Sequence, residues 1–358
     1  MSKKNSKDTA KRVSVGGQAL MEGIMMKGPE GTAMALRLPD GSIETSRKPT
    51  VMWKDKYKIL GWPLIRGPVT FIESMIDGYK YTMESAEKTS LDFSDSGEEE
   101  MSKFDKWIVD HFGEKMMTVI GVISAVIGFA LAFGLFVYLP SKAFEGLNIL
   151  ADNKISTAWR APFEGLIRVI IFVSYMALIS LMKDIKRMFQ YHGAEHKSIF
   201  CYEAGLELTV ENVKKQSRFH PRCGTSFIFV TIILSILVSS VVAGIFDGTP
   251  VTTNTALWIC IKILILPIVT SLSYEFIRYA GCHDNLFIKT LAAPGLLMQR
   301  ITTKEPEEDA IIEIGIAALK VALGLEEPNI GKAKEENGEV LADAQETAEI
   351  VIEEPKEE

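Results

Sequence analysis

Met117 to Leu139 runs 23 residues without a charge, and Phe227 to Phe246 runs 20. At 1.5 Å of rise per residue, either run is long enough to cross a hydrocarbon core of roughly 30 Å as a helix. A chain with two such runs is an integral membrane protein rather than a soluble enzyme. Leu166 to Met182, with Arg168 inside, and Ala256 to Tyr274, with Lys262 inside, are weaker runs whose single charges must snorkel or face protein. Lys262 is the seventh residue of its run, roughly 9 Å along, so the expectation is that it snorkels to the outer surface. The sum is four spans and a mainly α, polytopic membrane fold with a small cytosolic α+β N-terminal unit and amphipathic helices.

Lys and Arg counts orient the spans. The connection Ser141 to Gly165 holds three, Lys183 to Ser226 holds eight, and Asp247 to Thr255 holds none. The positive-inside rule makes the middle connection cytoplasmic, and with four spans both termini share that side. The net charge of −7 hides a split: residues 1–90 hold fifteen Lys and Arg against ten Asp and Glu, while Glu326 to Glu358 holds three against twelve. No apolar signal region follows the basic start, so the N-terminus is expected to be neither cleaved nor exported. Cys201, Cys223 and Cys282 then fall on the reducing side, as free thiols or metal ligands rather than disulfides, while Cys260 lies within a span.

Composition suggests five stretches. Residues 1–90 form the N-terminal unit. Within them VSVGGQALMEGIMMKGP (Val13 to Pro29) reads as a compact turn-rich segment, Thr32 to Leu38 and Ser42 to Ser46 flank Pro39-Asp40-Gly41 as a β-hairpin, and Ile65 to Lys88 has helical apolar spacing. That last helix either lies on the membrane or packs into a core, with packing the more common outcome. Residues 91–116 are an acidic linker and lead-in helix, and 117–300 are the membrane domain. In it, Leu286 to Met298 is too short to span and contains Pro294, so it should be interfacial or re-entrant. Residues 301–324 carry an amphipathic cytosolic helix, and 325–358 have the composition of a disordered acidic tail.

The chemistry-bearing segment is YHGAEHKSIFCYE, Tyr191 to Glu203, just beyond the second span. In His192-x-x-Glu195-His196 two imidazoles four residues apart share a helical face and can hold one metal. The Glu between them is close enough to act as general base on an activated water. Glu203 returns to that face if the helix continues. Set against this, Gly193 weakens a helix by about 1 kcal/mol relative to Ala, and a polar cap or interface cluster has equal standing on the motif alone. The topology adds weight, because His220 and Cys223 precede the third span while Cys282, His283 and Asp284 follow the fourth. All would meet His192 and His196 at one membrane depth. Singly, each has a structural explanation: small buried thiols, a helix cap at Asp284, arginines that pair with headgroups or Glu275. Together they suit Zn²⁺ or another divalent transition metal. Glu275, close in depth, could add a ligand or pair with Arg278.

The strings GGQALMEGIMMKGP, WPLIRGP, YHGAEHKSIFCYE, HPRCGTSF and GCHDN together resemble the YqhQ-like family of bacterial membrane proteins of unknown function, over Val13 to Leu323. The resemblance implies a multi-pass protein of the bacterial inner membrane. It draws attention to His192, Glu195, His196, His220, Cys223, Cys282, His283 and Asp284, and brings no substrate. Members have been labelled predicted metal-dependent enzymes, a label that rests on the histidine motif. Two functions stay open. One is a metal-dependent hydrolase at the cytoplasmic face, with His192 and His196 binding zinc, Glu195 activating water and a third ligand from His220, Cys223, His283 or Asp284. The other is a non-catalytic accessory factor for membrane-protein insertion, engaging translocon, ribosome or nascent spans as well as the lipid bilayer, without sequence-specific nucleic-acid binding. A solute transporter is disfavoured by four spans and no inverted repeat.

Overall fold

The computed structural model describes residues 15–50, 52–89, 114–282 and 286–329. The expected acidic linker Ser90 to Glu100 and the tail from residue 330 onward lie outside the described residues.

The N-terminal unit is a four-stranded antiparallel meander: β1 (Gly16–Leu20), β2 (Gly23–Gly28), β3 (Gly31–Arg37) and β4 (Ile43–Lys48). The β3–β4 hairpin is the one the turn chemistry predicts. Asp40 Oδ1 accepts the Ser42 N–H at 2.8 Å, and Gly41 takes a φ of +83°. The stretch expected only to be turn-rich is itself a hairpin, β1–β2. Its glycines and methionines hid the strands because most of β2 and β3 is buried on both faces, which removes the alternation that betrays a strand. Glu22, at the β1–β2 turn, has a φ of +50°, and its carboxylate is held by Arg187 and by the Tyr191 hydroxyl at 2.9 Å.

After short helical turns at Trp53–Lys56 and Lys58–Gly61 comes the first long helix, α1 (Arg66–Thr89). Next come α2 (Glu114–Phe133), a π-helical turn (Gly134–Tyr138) and α3 (Leu139–Leu150), which continue one another. Then follow α4 (Arg160–Ile179), α5 (Lys183–Glu203) and α6 (Val210–Lys214). The last four are α7 (Gly224–Ile245), α8 (Thr255–Cys282), α9 (Leu286–Thr302) and α10 (Asp309–Ala322). Four helical stretches among the described residues are long and apolar enough to cross a membrane: Val126–Leu150, Thr157–Ile179, Phe227–Ile245 and Thr255–Ala280. The protein is a multi-pass membrane protein, mainly helical, with a small N-terminal sheet.

The first two spans differ from the sequence reading, and for the second buried charge is the reason. Ser141 to Leu150 and Arg160 to Gly165 were expected in a connection but are helical. Glu164 accepts from Arg160 Nε at 3.0 Å and Trp258 Nε1 at 3.1 Å on one oxygen. The other takes Arg168 Nη2 at 3.2 Å and Lys262 Nζ at 2.8 Å. Lys262 also donates to Ser141 Oγ at 2.6 Å. Charges that neutralise one another inside the bundle do not end a helix, and Lys262 points inward instead of snorkelling. Arg168 Nε reaches the carbonyl of Phe136 at 2.9 Å, within the π turn where the helical ladder is interrupted.

At the other end of the bundle the sheet meets α5 and α10. Ile24, Met26, Ala33 and Ala35 form one core with Tyr191, Ala194 and Ile199 and with Ile311, Ile314, Ala318 and Leu319. The expected amphipathic helix is α10, and it is buried on most sides because it lies between the sheet and α5. Gly315 packs on Ala194 and Ser198. Past α10, Asn329 docks on β4, its Oδ1 taking the Thr45 N–H at 2.6 Å. The N-terminal sheet, the connection between spans two and three and the segment beyond span four thus share one end of the molecule. That end carries the histidines.

Candidate metal centre

His192 and His196 lie one turn apart on α5, with ring centroids 4.5 Å apart. Cys223 is the N-cap residue of α7 and brings its sulfur to 3.2 Å from His192 Nε2. One ligand atom from each of the three lies within 4.8 Å of the other two. Ligands around a tetrahedral zinc stand roughly 3.5 Å apart, so small side-chain rotations would close the set on an ion.

Both imidazoles are oriented by the main chain. His192 Nδ1 is 2.9 Å from the carbonyl of Thr302, and His196 Nδ1 is 2.6 Å from the carbonyl of Arg218. A carbonyl can only accept, so each Nδ1 donates, and in the neutral ring this leaves Nε2 as the nitrogen free to ligate. Thr225 Oγ1 donates to Cys223 Sγ at 3.3 Å. The sulfur also sits at the positive end of a helix dipole, a setting suited to an anionic ligand.

Gly193 explains how Thr302 gets there. A Cβ on it would collide with the carbonyl of Lys304, so only glycine lets α5 approach the end of α9 this closely. The Lys304 N–H donates to the Phe189 carbonyl at 2.8 Å and seals the contact. The glycine that weakens the motif as an isolated helix is what positions His192. From the other side, Gln299 clamps the loop before Cys223. Its Oε1 accepts the His220 N–H at 2.8 Å and its Nε2 donates to the His220 carbonyl at 2.8 Å. Nothing in the sequence pattern singled out Gln299.

The remaining sequence candidates fall into three groups. His220 is buried beside the cluster, its ring centroid 5.4 Å from that of His196 and 4.7 Å from that of Phe200. Its pKa is pushed down to about 3 by burial first, then by its cationic and imidazole neighbours His196, Arg222 and His192. Its Nε2 accepts from Arg222 Nη2 at 3.4 Å. Glu195 is fully buried against β1, where the Gly17 N–H donates to it. Burial pushes its carboxyl up from the usual range, against the pull of His192 and of that N–H, and its Oε2 has no hydrogen-bond partner. It is not one of the three residues of the metal-sized group. The side chain of Cys282 and all of His283 and Asp284 lie outside the described residues.

Glu203 pairs with Arg222. Glu275 is held by Arg66, Nη2 to Oε2 at 2.5 Å, and it also pairs with Arg278 at 4.0 Å, one of its two expected roles. Glu275 is therefore committed to an ion pair rather than free as a ligand. Cys201 is buried in a satellite core, where burial raises its thiol, and Cys260 is exposed on the surface of span four.

Residues 62–325 match the family model described as a protein of unknown function, DUF1385. The uncharacterized protein YqhQ of Bacillus subtilis (strain 168) is 34% identical over 314 residues, covering 87% of this chain and 92% of that one. No solved structure matches. The chain belongs to the DUF1385 family.

Proposed function

We propose that this member of the DUF1385 family is a metal-dependent enzyme of the bacterial inner membrane, with its centre at the cytoplasmic face. His192 Nε2, His196 Nε2 and Cys223 Sγ hold Zn²⁺ or another divalent transition metal. The observation that carries the reading is the pair of Nδ1–H to carbonyl bonds, to Thr302 and Arg218, which leave the Nε2 of each neutral ring as the ligand atom beside one cysteine sulfur.

Among the described residues the set has three protein ligands, which leaves a fourth position to a water or a substrate group, the pattern of catalytic rather than structural zinc. A cation held there would supply Lewis-acid chemistry, and hydrolysis is the reaction class it suits. Glu195 is the acid–base group of this reading: it stands between the two histidines in the chain, buried, with its Oε2 without a hydrogen-bond partner. His220 supports the ring of His196 and holds Arg222 in place.

Elemental analysis of detergent-purified protein tests this reading. The wild type should carry close to one equivalent of transition metal, and a His192→Ala, His196→Ala variant none. Glu195→Gln should keep the metal, since the carboxylate is outside the ligand set. A folded, metal-free wild type would remove the proposal.

A further inference from the structure

Helix α1 is built inside out for a helix packed on a protein. The residues it buries are Gly67, Glu73, Gly78, Tyr81 and Ser85, whereas Phe71, Ile72, Met75, Ile76, Tyr79 and Met83 are exposed along one stripe. The glycines face the protein because Gly67 sits against the backbone of Ser271 and Gly78 against Gln18. The segment leading into α1 repeats the pattern, with Tyr57 57%, Ile59 62%, Trp62 59% and Leu64 59% exposed. A contiguous outward apolar surface of this kind calls for an apolar neighbour.

Contacts with the spans set the level of this surface. The Phe71 ring lies 5.9 Å from that of Phe227, the first residue of span three. The Leu64 carbonyl accepts from Ser271 Oγ, and Arg66 pairs with Glu275. Ser271 to Glu275 is about one turn, or roughly 6 Å, of span four, so the tip at Leu64 lies deeper along the bundle than Arg66. The tip is fixed: Leu64 has a φ of +72°, a conformation a branched side chain adopts only when its surroundings impose it. On the way down, the Trp53 N–H is tied to the buried Glu73, and Lys56 and Lys58 are exposed beside the aromatic residues.

We propose that residues 57–72 form a shallow membrane foot, separate from the four spans. Tyr57, Ile59, Trp62, Leu64, Phe71 and Ile72 lie in the boundary between headgroups and acyl chains, in the leaflet at the metal-site end of the bundle, with Lys56 and Lys58 at the lipid phosphates. Continuity with spans three and four argues for lipid over a protein partner. The depth of about one turn matches the 5–10 Å at which interfacial helices sit, and tryptophan and tyrosine with flanking lysines are the residues of that zone. The foot would hold the sheet and the histidine helix against the membrane surface.

The test uses the full chain reconstituted in phosphatidylcholine–phosphatidylglycerol vesicles, with and without bromine on the acyl chains near the headgroup. The wild-type minus Trp62→Phe fluorescence difference isolates Trp62, and the substitution is conservative enough to keep the fold. Brominated lipid should remove roughly half or more of that signal, while aqueous iodide removes little, as for an interfacial ring. Quenching by iodide with no effect of bromine would place the tip in water. Resistance to both would mean that protein covers it, whether a second copy or another partner. Either result overturns the proposal.

Discussion

His192 Nε2 stands 3.2 Å from Cys223 Sγ although 31 residues separate the two. The histidine comes from the helix after span two and the cysteine from the cap of span three. The distance between them is therefore set by how α5, the loop around His220 and the end of α9 are held together. Each support can be removed singly.

Gly193→Ala should push α5 away from the carbonyl of Lys304. Overpacking of this kind costs about 1–3 kcal/mol, and here it also pulls His192 off the Thr302 carbonyl. Thermal unfolding in detergent should fall together with metal stoichiometry. Gly146→Ala, inside α3 with nothing within 4 Å of the added carbon, is the control: it should leave the metal unchanged and raise stability by up to about 1 kcal/mol through helix propensity.

Gln299→Ala removes both hydrogen bonds to the His220 backbone, 2.8 Å each, in a fully buried position. Leaving that N–H and C=O without partners costs about 1–3 kcal/mol. The loop then holds Cys223 less firmly. A chelator-competition titration should show weaker metal binding than in the wild type, with the ligand set unchanged. Unaltered affinity would mean that α7 alone fixes the cysteine.

Glu164→Ala would strand Arg160, Arg168 and Lys262 inside the bundle with no carboxylate among them. Breaking a buried ion-pair network from one side costs about 3–5 kcal/mol. Unfolding of the purified protein should show a large loss, whereas Lys142→Ala, which removes an exposed i,i+3 pair with Glu145, should be close to neutral. Equal effects would show that the Glu164 cluster carries no special weight.

Much of this architecture is legible in the residues. The third span is found within a residue because Phe227 to Ile245 has no charge to confuse its length. The β3–β4 hairpin follows from Pro39-Asp40-Gly41, and the histidine helix from its spacing. What escaped has a common physical cause: long-range partners that change the meaning of a local signal. Glu164 looks like a residue of a polar connection until Lys262, 98 positions later, neutralises it. The methionine-rich string around Gly23 looks turn-rich until α10 and α5 cover one face of β2 and Tyr81 of α1 covers the other. Gly193 looks like a helix breaker until Lys304 packs on it, and the apolar spacing of α1 looks like a core face although it points away from the protein. At the site, spacing gave His192 and His196, and topology brought His220 and Cys223 beside them. The two backbone carbonyls that fix the tautomers have no sequence signature at all.

The most direct measurement of the central claim is X-ray absorption at the metal edge of the purified, metal-loaded protein, compared with Cys223→Ser. The wild-type spectrum should fit two imidazole nitrogens at roughly 2.0–2.1 Å and one sulfur at about 2.3 Å. The variant should lose the sulfur while keeping both imidazoles. A wild-type spectrum without a sulfur neighbour, or with no imidazole scattering, would contradict a centre built from His192, His196 and Cys223.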